Sequence, residues 1–130
     1  MNNGALKYQK LEVASLVDTA DSHQLIKMLF DGALSRLKKA RGCMEHGDHQ
    51  GRSEAISATV SIIDGLQGSL DHDRGGDLAD NLDSLYDYMQ RRLFRANTDN
   101  DPKALEEVAD LIRTVRAGWD AIGAEVAQAS

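Results

Sequence analysis

The sequence predicts an all-α protein: an antiparallel four-helix bundle preceded by an N-terminal leader segment of residues 1–20. Three observations carry this. Apolar residues recur at alternating spacings of three and four in long runs, the period of a helix with one core-facing side. No segment alternates over the length of a strand, so no sheet is expected. One proline in 130 residues, against eleven glycines, suits long uninterrupted helices joined by short polar turns.

The first helix is expected over about 21–46. Asp21, with Gln24 three residues on, forms a capping-box pattern, and the run stops near Gly47. The second is expected over about 50–70, marked by Ile56, Val60, Ile63, Leu66 and Leu70. The third, about 77–97, carries the stripe Leu78, Leu82, Leu85, Met89, Leu93 and Ala96. Gly75-Gly76 breaks the chain before it and Asp77 is its expected cap. Asp77, Asp80, Asp83 and Asp87 fill its first half and Arg91, Arg92 and Arg95 its second, an order that complements the helix dipole.

The fourth helix, about 102–127, has the clearest stripe: Leu105, Val108, Ile112, Val115, Trp119, Ile122 and Val126. Asp101 caps it and Pro102 takes the first helical position, where a missing N–H costs nothing. The four runs make one bundle over 21–128. The leader has the apolar residues Leu6, Tyr8, Leu11, Val13, Leu16 and Val17, too irregularly spaced to assign, and is expected to be flexible or folded back on the bundle.

Composition excludes several classes. The formal net charge of −6 argues against nucleic-acid binding, which needs clustered basic surface. The single Cys43 forms no internal disulfide, the N-terminus has no apolar run like a signal peptide, and nothing approaches the roughly 18 apolar residues of a membrane span. A cytoplasmic protein without membrane insertion is the expectation.

Catalytic and metal patterns are weak. Cys43, His46 and His49 recur every three residues but straddle Gly47-Asp48 and lack a fourth ligand. The Glu-x-x-His pairs of a di-iron bundle are absent, and Asp99 and Asp101 lack the glycine and distal Glu of a calcium loop. His23 and Lys27, four apart, are the one pair open to histidine phosphotransfer. No enzyme activity and no cofactor are expected.

The first helix is the informative one. Its apolar positions spread over roughly 240° at 3.6 residues per turn, whereas a core-facing stripe needs little more than about 100°. Ile26, Phe30, Leu34 and Leu37 lie toward one side; Leu25, Met28 and Gly32 lie toward the other. A peripheral helix cannot turn both sides inward, so the leader, a second subunit or a partner helix is needed to cover the excess. Tyr86 and Tyr88 flank the third stripe on opposite edges, the placement of tyrosines at the lip of an apolar groove or at the rim of a core.

Ala5-Leu6-Lys7-Tyr8-Gln9, Thr19-Ala20, Leu25-Ile26, and Met28-Leu29-Phe30-Asp31-Gly32-Ala33 begin a pattern that runs along nearly the whole chain. Met44-Glu45-His46-Gly47-Asp48 and Ser69-Leu70-Asp71 continue it. The strongest block is Asn81-Leu82 through Leu85-Tyr86-Asp87-Tyr88-Met89, then Arg91-Arg92-Leu93 and Ala96-Asn97, followed by Asn100-Asp101-Pro102 and Trp119. In order and spacing this resembles the flagellin-specific export chaperones, the FliS family. Two positions depart from it: Asp21-Ser22 stands where the family usually has Ser-Pro, and Phe30 where it usually has tyrosine.

The resemblance implies an antiparallel four-helix bundle that binds the C-terminal helical segment of flagellin, prevents premature polymerisation and keeps the client competent for flagellar type III secretion. It also implies a component of the flagellar export gate as partner; separately, a monomer or weak homodimer is expected, since the surplus apolar surface could pair two copies as easily as hold a client. Residues expected to contact flagellin are Leu25, Ile26, Met28, Leu29 and Phe30 from the first helix, Tyr86, Tyr88 and Arg92 from the third, and Leu6 and Tyr8 from the leader. Leu29 is expected to be buried outright, and Trp119 to be core. A chaperone for a different exported client is the competing reading.

Overall fold

The computed structural model describes residues 22–129, with side-chain surroundings through Ala121. The leader, with Leu6 and Tyr8, lies outside the described residues, as does Asp21 of the expected capping box. The described chain is four helices: α1 (Ser22–Glu45), α2 (His49–Gly68), α3 (His72–Asp99) and α4 (Pro102–Ala129). Each packs on two neighbours, α1 on α2 and α4, α3 on α2 and α4, which closes a square ring.

Polar pairs fix the antiparallel register. Along the α1–α4 seam, Arg41 meets Glu106 at 2.6 Å and Asp31 meets Arg116 at 2.9 Å, so numbering rises on one helix as it falls on the other. Across α2 and α3, Arg52 Nε donates to Asn97 Oδ1 at 2.9 Å, and Gln67 Nε2 donates to the Asp83 and Asp87 carboxylates. Half-exposed ion pairs contribute about 0–1 kcal/mol each, so they set alignment more than stability.

Stability comes from the aliphatic centre. Phe30, Ile63, Leu66, Met89, Leu93, Leu105, Val108 and Ile112 are fully buried, each worth roughly 1.5–3 kcal/mol of transfer from water. Ala33, Ala40, Ala55, Ala96 and Ala104 fill the spaces between them and let the helices approach closely. The one buried polar side chain in the described core, Thr59, donates to the Ala55 carbonyl at 2.9 Å.

The turns follow from local chemistry. Gly47 takes φ +70°, and Asp48 caps α2 by accepting the Gly51 N–H at 2.9 Å. Asn100 ends α3 in the left-handed region, and Asp101 accepts the Lys103 N–H at 3.0 Å as α4 begins at Pro102.

The start of α3 differs from the expectation. Asp71, not Asp77, is the cap: its carboxylate accepts the Arg74 N–H at 3.2 Å, and its carbonyl accepts the Gly75 N–H at 2.8 Å. A short helical turn thus begins at His72, ahead of the break the sequence predicts at Gly75-Gly76, and the long part of α3 follows that break. Gly76 adopts φ +51° and ψ −128°, a conformation that favours a residue without Cβ, so the regular helix is interrupted there by a kink. Just past the kink, Leu78 is 59% exposed, although its spacing placed it in the core stripe.

Two further expectations are corrected. Phe30, not Leu29, is the fully buried residue of the pair, and Leu29 packs at the core edge only partly buried. Trp119 is also only partly buried, because its ring lies flat on His23 at the bundle surface.

Candidate functional site

At one end of the bundle all four helices leave an apolar groove of about 400 Å³. Ile26 and Phe30 come from α1, Leu66 from the last turn of α2, and Leu70 from the link that follows. Leu78, Leu82 and Tyr86 come from α3, and Val115 and Trp119 from α4. The lip of the groove is the kinked start of α3, where Asp71, Arg74 and Gly75 stand. The kink at Gly76 falls beside this opening, and Leu78, two residues on, lines it while staying largely exposed.

A second, wider groove of about 890 Å³ lies between α2 and α3. Ile56 and Val60 form its floor, Ser57 and Ser61 its low edge on α2, and Arg91, Phe94 and Arg95 its edge on α3. Phe94 is 71% exposed, the most exposed large apolar side chain among the described residues.

The expected contact residues separate into three groups. Ile26, Phe30 and Tyr86 come together in the end groove. Leu25 and Leu29 are half-buried on α1, while Met28 is exposed, so the first helix does keep apolar surface that the described bundle leaves uncovered. Tyr88 and Arg92 lie elsewhere, on the α3–α4 seam. There the Tyr88 hydroxyl donates to Glu107 Oε2 at 2.5 Å, and Arg92 Nε donates to Glu107 Oε1 at 2.7 Å. The hydrogen bond from Tyr88, then that from Arg92, holds the Glu107 carboxyl below the usual carboxylate range. For Tyr86 the dominant effect is burial, which pushes its phenol up to about 12.

Leu78, Leu82, Val115, Trp119 and Phe94 were not among the expected contacts. Phe94 carried a signal in sequence, being an aromatic residue one place off the α3 stripe and flanked by Arg91 and Arg95. The other four sat on regular core stripes and gave none.

The pair open to phosphotransfer is taken up in other contacts: His23 stacks on Trp119 with ring centroids 4.5 Å apart, and Lys27 Nζ lies 3.9 Å from Asp120. Among the described residues no group of His, Cys, Asp and Glu is arranged to hold a metal ion. No described helix is long and apolar enough to cross a membrane. What the site offers is shape and apolar surface, suited to docking another polypeptide.

Comparison with known proteins points the same way. The family model described as "Flagellar protein FliS" matches residues 1–126. The Salmonella typhimurium flagellar secretion chaperone FliS is 47% identical over 121 residues, covering 92% of this chain and 90% of its own. The Pseudomonas aeruginosa flagellar secretion chaperone FliSB is 45% identical over 116 residues, covering 89% and 92%. That of Bacillus subtilis is 33% identical over 103 residues, covering 79% and 76%. The kinked, groove-ended four-helix bundle described above is thus that of a flagellar secretion chaperone, and the chain belongs to the FliS family.

Proposed function

We propose that this chain binds the C-terminal helical segment of flagellin in the bacterial cytosol, shields it from premature polymerisation, and presents it to the flagellar type III export apparatus. The observation that carries this reading is the end groove, an apolar opening built by all four helices and rimmed by the half-exposed Leu78. An amphipathic client helix lays its apolar stripe into such a groove. A second client turn fits along Ile56, Val60 and Phe94, so that one chain wraps two faces of the bundle.

Ordering an unfolded client costs several kcal/mol, and a large contact area offsets that cost. Ile26, Phe30 and Tyr86 supply the end groove in this reading, while Leu25, Met28 and Leu29 extend apolar surface along α1. Tyr88 and Arg92 line neither groove; held by Glu107 on the α3–α4 seam, they are proposed to meet the client outside both. Leu6 and Tyr8 of the leader are proposed to cover apolar surface in the free protein and to give way to client. The work is binding and release, without cofactor or catalysis, by a monomer or weak homodimer that also docks on an export-gate component.

Calorimetric titration of the full chain with a synthetic peptide of the flagellin C-terminal segment tests this. The expected result is saturable one-to-one binding, accompanied by a gain in peptide helicity. A peptide that stays unbound and unfolded at high micromolar concentration would overturn it.

A further inference from the structure

Tyr86 differs from every other residue of the end groove. Its ring belongs to the buried core, with only 3% of the residue exposed, while it also lines the opening. Its hydroxyl forms no hydrogen bond to the described residues, in contrast to Tyr88, whose hydroxyl is spent on Glu107. Nor is it a sealed-off polar atom, since among the described residues only Arg116 Nε is both buried and unpartnered. The Tyr86 hydroxyl therefore opens onto the groove.

The surrounding floor is hydrocarbon: Ile26, Phe30, Leu82 and Val115. Of the other polar groups that line the groove, Ser22 is exposed at its edge and three more are engaged. The Trp119 indole N–H donates to the His23 carbonyl, the Ser69 hydroxyl to the Leu66 carbonyl, and the Asp71 carboxylate accepts from Arg74 N. A purely apolar guest seated here strips water from the phenol and returns nothing, leaving a buried hydroxyl unsatisfied. A guest with a polar side chain opposite satisfies it. A phenol is neutral across the physiological range, and burial moves this one further from ionising, so it offers both a donor and an acceptor.

We propose that the Tyr86 hydroxyl sets the register of the guest: the segment held in the end groove is an amphipathic helix whose apolar stripe is interrupted by one hydroxyl or carboxamide side chain, and that side chain pairs with Tyr86. Apolar contacts alone tolerate sliding by a helical turn. A single polar pair in an otherwise dry interface does not, as with one buried asparagine in a coiled coil. The contact rests on the proposed binding of the flagellin C-terminal segment and specifies how that segment is seated.

The test is a double-mutant cycle. The wild-type chain and Tyr86→Phe are titrated with the flagellin C-terminal peptide and with a panel in which each Ser, Thr, Asn and Gln is replaced singly by Ala. One panel peptide is expected to bind the wild-type chain roughly three- to tenfold more weakly than the parent peptide. The same replacement is expected to change nothing against Tyr86→Phe, because the partner hydroxyl is already gone. A panel with no such position, on a wild-type complex that does form, overturns the contact alone; equal losses with both chains overturn it as well. Failure of the wild-type chain to bind the parent peptide removes the flagellin reading and the contact with it. The ring is retained in Tyr86→Phe and the wild-type panel is informative by itself, so the outcome does not depend on how the variant folds.

Discussion

The indole N–H of Trp119 donates to the backbone carbonyl of His23 at 3.0 Å, and the two rings stack nearly parallel, 4.5 Å apart. This contact ties the late turns of α4 to the first turn of α1, and it stands on the wall of the end groove. Between α1 and α4 the groove wall thus includes a directional polar contact and a flat ring stack beside the aliphatic Ile26 and Val115.

Replacing Trp119 by Phe keeps a ring over His23 and deletes the donor. The loss is expected to be about 1 kcal/mol in urea unfolding, the net worth of one hydrogen bond. Amide exchange in the first turn of α1 should quicken more than elsewhere. Uniform exchange changes across the bundle would show that the contact does not anchor α1.

Gly76 sits at φ +51° and ψ −128° within α3. Gly76→Ala forces a Cβ into that conformation, at an expected cost of about 1–3 kcal/mol. Chemical denaturation measures it directly. A variant as stable as the parent would mean that the kink relaxes without strain.

Two exposed pairs give the stability opposite dependences on pH. Glu107 titrates below its ordinary range, so its contribution is complete above about pH 4.3 and is lost as pH falls through the folded value. His72 is raised, first by its 2.9 Å hydrogen bond to Asp80, then by the charges of Asp80, Asp83 and Asp73. Its contribution is complete below about pH 6.5 and fades as pH rises through the higher folded value. Melting temperatures across pH should lose the acid-side slope in Glu107→Gln and the neutral-side slope in His72→Gln. Both slopes are expected to be shallow, because these groups face solvent.

Leu78 and Phe94 are exposed, so replacing either by Ser should change stability by less than about 0.5 kcal/mol. Affinity for the flagellin peptide should nonetheless fall, about tenfold for either, as expected for an apolar anchor lost from an interface. Unchanged affinity in both would place the client on another face.

Most of the fold was legible because stripes such as Leu105, Val108 and Ile112 repeat at the helical period, and all three are buried. The phase of α1 was not. With apolar residues over most of its circumference, a rotation of one position exchanges Leu29 for Phe30, and only packing against α2 and α4 decides between them. At Gly75-Gly76 local preference pointed to a break, and Gly76 does interrupt the helix; the short turn that Asp71 caps ahead of it was not legible. Tyr86 and Tyr88 had to face different ways, being two residues apart on a helix, but Glu107 as the partner of Tyr88 depends on the α3–α4 register, which no local pattern encodes.

The end groove draws a wall from every helix, so no element can leave the fold without dismantling it. An occupant is consequently a brace for the whole molecule: at a free concentration one hundred times its dissociation constant it adds about 2.7 kcal/mol to unfolding. Delivery of such a cargo to the secretion machinery then leaves behind a measurably softer carrier, and a melting curve alone distinguishes the loaded form from the spent one.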